Sequence, residues 1–136
     1  KIDSGEGLEK FKQLISRQWG DVSVVDDTEQ FMKAKFKIPV NSLEDGYISR
    51  IEAKNIGQAV VDLGGGRHKK DDTIDYFVGI EMCKKVGDPV KIGEPLLYIY
   101  ANDETQGLMQ VEKLRNSFEY SKESVEKLKE ILDIIE

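Results

Sequence analysis

Hydrophobic positions change their period several times along the chain, and each change predicts an element. Leu8, Phe11, Leu14 and Ile15 recur at helical spacing, which predicts an amphipathic helix with Ser4 as its N-cap and Gly20 as its stop. Residues 21–30 are polar, with Asp26 and Asp27 adjacent, and read as a connection. In "KAKFKIPV", Phe36, Ile38 and Val40 alternate with lysines, the pattern of a half-buried strand, and Pro39 places that strand at a sheet edge or marks its end. "NSLEDG" is a turn signal, and "YISRIEA" reads as a second strand.

Next, "KNIGQAVVDL" sets Ile56, Val60 and Leu63 on one stripe with Ala59 beside it, a short amphipathic helix that runs into the glycines at 64–66. "IDYFVGIEM" is rich in β-formers and reads as a strand, with Gly79 a bulge or close-approach point. "VGDPVKIGEPLLYIYA" holds two Gly-acid turns before an apolar run and reads as a hairpin-like element. Leu108, Val111, Leu114, Arg115 and Phe118 predict a helix over 103–118. Val125, Leu128, Leu132 and Ile135 predict another in the tail. No internal repeat or low-complexity tract interrupts this order, and the expected class is α+β.

Composition narrows the picture only a little. The 136 residues fit one ordinary domain with room for a helical arm. Their 34% charged content argues for a soluble surface, and no apolar run is long enough for a membrane span. "KIDSGEGLEK" lacks the apolar core of a secretory signal. A single cysteine, Cys83, excludes an internal disulfide or a cysteine zinc site and fits a reducing cytosol. A net charge of −6 disfavours nonspecific binding to nucleic acid.

The most suggestive stretch chemically is "LGGGRHKKDDTIDYFVGI". Phosphate cradles need the order strand, glycine loop, helix, because N–H groups at a helix N-terminus face the anion. Here the helix comes first, so the glycines meet its carbonyl end, where glycine is the usual C-terminal capping residue. Arg67, Lys69 and Lys70 just beyond complement the negative end of the helix dipole. A structural cap is favoured over an anion contact through the basic side chains, and both stay open.

Other candidates read as structure. His68 is the lone histidine and an exposed loop residue. Cys83 is a small buried hydrophobe in a strand. Asp71, Asp72 and Asp75 form a solvated, capping turn rather than a calcium loop, and Trp19 is a packing anchor. No metal, cofactor or catalytic set is expected.

Two resemblances follow from these motifs. "GYISRI" and "VGDPVKIGEPLLYI" resemble the paired half-motifs of biotinyl and lipoyl carrier domains. Their modified lysine would fall at Asp103, which cannot carry an amide-linked cofactor, so the strand geometry stays plausible and carrier function is excluded. The second resemblance is closer. It rests on Gly64, Gly65, Gly66 and Arg67; on Asp72, Ile74, Asp75, Val78 and Gly79; on Gly87, Asp88, Gly93 and Glu94; and on Ala101, Asp103 and Glu104. In this order they resemble the C-terminal part of pyrimidine-nucleoside and thymidine phosphorylases.

That resemblance implies an α/β-hammerhead module with barrel-sandwich-like hairpins and a short packed helix, flanked by N- and C-terminal helices. The expected division is residues 1–30 as a helix and connector from a preceding α/β domain, 31–120 as the hammerhead, and 121–136 as a helical tail. It implies a cytoplasmic, homodimeric parent enzyme that uses phosphate to release the base of a pyrimidine nucleoside. In the family a Lys-His-Ser-Thr-Gly-Gly segment holds phosphate, and an arginine, serine and lysine read the base. None of these segments occurs here, so no catalytic or substrate-binding residue carries over. Gly64, Gly65, Gly66, Arg67, Asp72, Asp75 and Gly79 are expected to form a structural signature loop. The missing initiating methionine adds to the expectation of a fragment, inactive alone, whose partner is the rest of the parent. The alternative is a stand-alone interaction module of the same shape.

Overall fold

The lysine–apolar alternation before residue 41 folds as strand β1 (Phe36–Asn41), with Val40 buried and Lys37 and Pro39 exposed. β1 is an outer strand of a three-stranded antiparallel sheet, where it pairs with β5 (Pro95–Ala101), which in turn pairs with β3 (Gly79–Met82). An outer position tolerates Pro39, whose missing N–H would break the ladder of an inner strand. A second sheet has β2 (Gly46–Ile51) between β4 (Pro89–Val90) and β6 (Phe118–Ser121). The computed structural model describes residues 1–31 and 33–127. The chain divides into two compact units, 1–33 and 34–136.

The expected hairpin at 86–101 is corrected by this pairing. β4 and β5 do not pair with each other: the chain crosses from the second sheet to the first between them, having crossed from the first to the second between β1 and β2. Apolar faces from both sheets supply the core: Val40, Leu97 and Ile99 from the first, Ile48, Val90 and Phe118 from the second, with Ala59, Leu63 and Leu114 from helices. Mixed helices and antiparallel sheets make the class α+β, as expected.

Helix α3 (Ala53–Val60) continues through a wide turn at Val61–Gly65. Helix α4 (Glu104–Arg115) begins at Asp103, whose carboxylate accepts the Gln106 N–H at 3.0 Å, so Asp103 serves as an N-cap. The expected helix to Phe118 stops short, because the Ser117 hydroxyl donates back to the Lys113 carbonyl and the chain then enters β6. β3 is likewise shorter than "IDYFVGIEM". Gly79 is neither a bulge nor a close-approach point: its pairing with β5 is regular and a Cβ there would meet open space. The tail helix expected from Ser121 does not start there. Ser121 ends β6 and residues 122–127 carry no helix, while the remainder of the expected helix lies outside the described residues.

In the N-terminal unit, α1 (Glu6–Arg17) is capped by Gly5 in the left-handed region (φ 76°), and Ser4 turns instead to the Lys1 carbonyl. Gly20 closes the helix by donating to the Ile15 carbonyl at 2.9 Å. The connection at 21–30 contains a four-residue helix, α2 (Ser23–Asp26). Trp19 is 95% exposed, so it is not the packing anchor its composition suggested.

Candidate functional site

The glycine run ends a helix. Gly64 has φ 97° and ψ 1°, a left-handed conformation that costs a side-chain-bearing residue energy and suits a glycine past a helix end. Its carbonyl accepts the Asp75 N–H at 2.9 Å, which closes the loop from 64 to 75 on itself. Gly65 is required for a different reason. A Cβ there would lie 2.8 Å from Val60 Cγ1 and 3.2 Å from the Val60 carbonyl oxygen.

Two aspartates organise the loop between those ends. Asp72 Oδ2 accepts the backbone N–H groups of His68 at 3.0 Å and Lys69 at 2.8 Å. Asp75 Oδ1 accepts the Phe77 N–H at 3.0 Å, and Asp75 Oδ2 accepts Asn102 Nδ2 at 2.6 Å. Asn102 Oδ1 also accepts the Lys35 N–H at 3.1 Å, so one amide joins the loop to the approach to β1. These carboxylates cap turns, which is the chemistry expected of Asp72 and Asp75 from sequence. Asp71, Arg67, Lys69 and Lys70 are exposed.

Asp62, on the wide turn after α3, is the most connected acid nearby. It accepts Gln58 Nε2 at 2.9 Å and Lys113 Nζ at 3.1 Å, and His68 Nε2 lies 3.7 Å away. The Gln58 hydrogen bond, with Lys113 and His68 adding to it, holds its carboxyl below the usual carboxylate range. His68 is thus an exposed loop histidine, as read from sequence, with an acidic neighbour that the sequence did not reveal.

Cys83 departs from expectation. It lies just beyond β3 and is exposed rather than buried within the strand. Partial desolvation, then the Glu81 charge, pushes its thiol up, the opposite direction from an activated thiolate. Among the described residues, no group of three His, Cys, Asp or Glu side chains is placed to hold a metal ion. The loop is held by two hydrogen-bonded sets, one between Gly64 and Asp75 and one between Asp72 and the His68–Lys69 backbone. Its backbone N–H groups at His68, Lys69 and Phe77 are already engaged.

Asn102, Asp62 and Lys113 are the residues missed in the sequence. Asn102 stands inside "ANDE", where Ala101, Asp103 and Glu104 carry the family resemblance, and nothing in its spacing links it to Asp75. Asp62 and Lys113 are 51 positions apart and meet only because α3 and α4 pack together. The two Gly-acid turns were the clearer signal. Gly87 and Gly93 have φ values of 87° and 86°, and the following acids accept the Lys85 and Lys91 N–H groups at 2.8 and 3.2 Å.

Comparison with known proteins places this arrangement. Residues 47–121 match the family model described as the pyrimidine nucleoside phosphorylase C-terminal domain. The pyrimidine-nucleoside phosphorylase of Bacillus subtilis (strain 168) is 48% identical over 103 residues, covering 76% of this chain and 24% of that protein. That of Geobacillus stearothermophilus is also 48% identical over 103 residues, with the same coverage. The enzyme of that name from Staphylococcus aureus (strain bovine RF122 / ET3-1) is 45% identical over 101 residues, covering 74% of this chain and 23% of its own. The chain spans about a quarter of the length of the curated relatives it matches. With the helix-capping glycines, the paired Gly-acid turns and this match in hand, the chain belongs to the pyrimidine nucleoside phosphorylase C-terminal domain family.

Proposed function

We propose that the chain is the C-terminal part of a cytoplasmic, homodimeric pyrimidine-nucleoside phosphorylase, and that this part is scaffold rather than catalyst. The parent reaction displaces a pyrimidine base from a (deoxy)ribose with inorganic phosphate, giving free base and a pentose 1-phosphate. It requires phosphate aligned with the anomeric carbon and stabilisation of charge on the departing base. Segments that do this in the family lie outside these residues. The partner is the rest of the parent, with residues 1–30 continuing a preceding domain. The apolar stripe of α1, on which Leu8, Phe11 and Leu14 are each about half exposed, supports that continuation.

The saturation of the signature loop carries the scaffold role. Asp72 and Asp75 take up the N–H groups at His68, Lys69 and Phe77, and Gly64, Gly65, Gly66, Arg67, Asp72, Asp75 and Gly79 hold shape without presenting an anion cradle. A phosphorolysis assay tests the proposal. This chain, given uridine or thymidine and phosphate, releases no free base, whereas a chain extended upstream to include the Lys-His-Ser-Thr-Gly-Gly segment does. Turnover by the chain alone overturns the scaffold role. An upstream frame without that segment overturns the parent assignment and leaves a stand-alone module.

A further inference from the structure

The two Gly-acid turns grip the chain in the same way. In the first, the Gly87 N–H donates to the Ile48 carbonyl at 2.8 Å and the Ile48 N–H donates to the Asp88 carbonyl at 3.0 Å. In the second, the Gly93 N–H donates to the Ser42 carbonyl at 2.9 Å and the Ser42 N–H donates to the Glu94 carbonyl at 2.9 Å. Both gripped residues are buried, and both glycines share one left-handed conformation. The clasps differ in what covers them. Against Gly93 a Cβ would meet nothing within 4 Å. Against Gly87 it would lie 3.0 Å from the Val125 carbonyl oxygen, 3.0 Å from Lys127 Cα and 2.8 Å from Lys127 Cγ.

We propose that residues 122–127 are a strap that crosses the second sheet from its β6 side to its β4 side and holds the Lys85–Asp88 turn closed on β2. The strap starts at a bend where the Ser121 hydroxyl donates to the Glu123 carbonyl at 2.9 Å and accepts the Glu123 N–H at 3.1 Å. It ends in a charge-assisted bond from Lys127 Nζ to Asp88 Oδ1 at 2.6 Å. Asp88 thus serves both its own turn, through Oδ2, and the strap, through Oδ1. β4 is two residues long and, among the described residues, its ladder partner is β2, so the strap adds to a short pairing. Local opening follows from few contacts. Drawing the chain's end away from Gly87 therefore loosens this clasp and leaves its twin at Ser42 alone.

The unstrapped twin is a built-in control for hydrogen exchange, read by NMR on the 136-residue chain. Lys127→Ala should speed exchange at the Ile48 and Gly87 amides by roughly two- to fivefold, the scale of one surface ion pair, with Ser42 and Gly93 unchanged. Lys127→Arg should restore the original rates, and Asp88→Asn, which weakens the turn's own bond as well as the strap's, should accelerate the same two amides at least as much as Lys127→Ala. A second comparison cancels left-handed strain, which Gly87→Ala and Gly93→Ala share. Gly87→Ala should accelerate the Ile48 amide more than Gly93→Ala accelerates the Ser42 amide. Equal acceleration at both clasps, or none at either, overturns the strap.

Discussion

Gly64 and Gly65 are adjacent glycines needed for different reasons, and alanine at each should fail differently. At Gly64 there is room, since the nearest atom to an added Cβ is Asp75 Cβ at 3.9 Å. The cost is the left-handed backbone at φ 97°, about 1–2 kcal/mol for a residue with a Cβ. At Gly65 the cost is crowding: Val60 Cγ1 at 2.8 Å, the Val60 carbonyl oxygen at 3.2 Å and Val78 Cγ2 at 3.3 Å. Overpacking of this kind costs about 1–3 kcal/mol, and the offset of about 0.4–1 kcal/mol as alanine narrows the unfolded ensemble is common to both variants. The two variants should therefore be destabilised by similar amounts.

Val60→Ala separates them. Combined with Gly65→Ala it removes the closest clash, although the carbonyl contact stays, so the pair should recover about 1 kcal/mol relative to additivity. Combined with Gly64→Ala it should add within about 0.5 kcal/mol. Urea denaturation followed by near-ultraviolet circular dichroism of the tyrosines is the assay, because all five tyrosines lie beyond residue 33 and the lone tryptophan does not. Coupling at Gly64, or its absence at Gly65, would refute the division between strain and crowding. If Gly64→Val instead abolished phosphate affinity in a longer, fully stable enzyme, the glycine run would be an anion site after all.

Two further outcomes follow from α4 and from Asp62. Gln110 Oε1 is buried without a hydrogen-bond partner among the described residues, and an unpaired buried acceptor costs about 1–3 kcal/mol. Gln110→Met should leave the urea midpoint unchanged or raise it, and a marked fall would reveal a donor that holds this oxygen. Asp62 has its folded pKa lowered, chiefly by Gln58 and then by Lys113. Its contribution is therefore complete above the unfolded carboxylate value of about 3.9 and is lost as pH falls through the lower folded value. Thermal midpoints should decline with acid below that point, and Asp62→Asn should flatten part of the decline; an unchanged profile in Asp62→Asn would contradict the linkage.

Local features were the legible ones. Phe36, Ile38 and Val40 announced β1 because a half-buried edge strand imposes period two, and Pro39 announced the edge. The glycines at 64–66 announced a helix end through their order alone. What escaped depends on distant partners. "VGDPVKIGEPLLYIYA" looked like a hairpin because two turns flank short apolar runs, yet pairing with β2 and β1 sends its halves to different sheets. "IDYFVG" has β-forming residues, but Asp75 offers the Phe77 N–H a side-chain acceptor and claims the stretch for a loop. Phe118 continued a helical stripe in sequence, and only Ser117 folding back on Lys113 ends it. For the site, Asp72 and Asp75 were visible as turn acids. Asn102, which ties the loop to the approach to β1, was not.

The carboxylate of Asp72 has one more consequence. It sits three and four residues from the N–H groups it accepts, so it is a tethered competitor for any anion approaching them. A short tether sets an effective concentration on the order of millimolar or higher. Dissolved phosphate would have to exceed that merely to break even, and would then leave a displaced carboxylate beside it. The loop carries its own inhibitor of anion binding, covalently attached and always present.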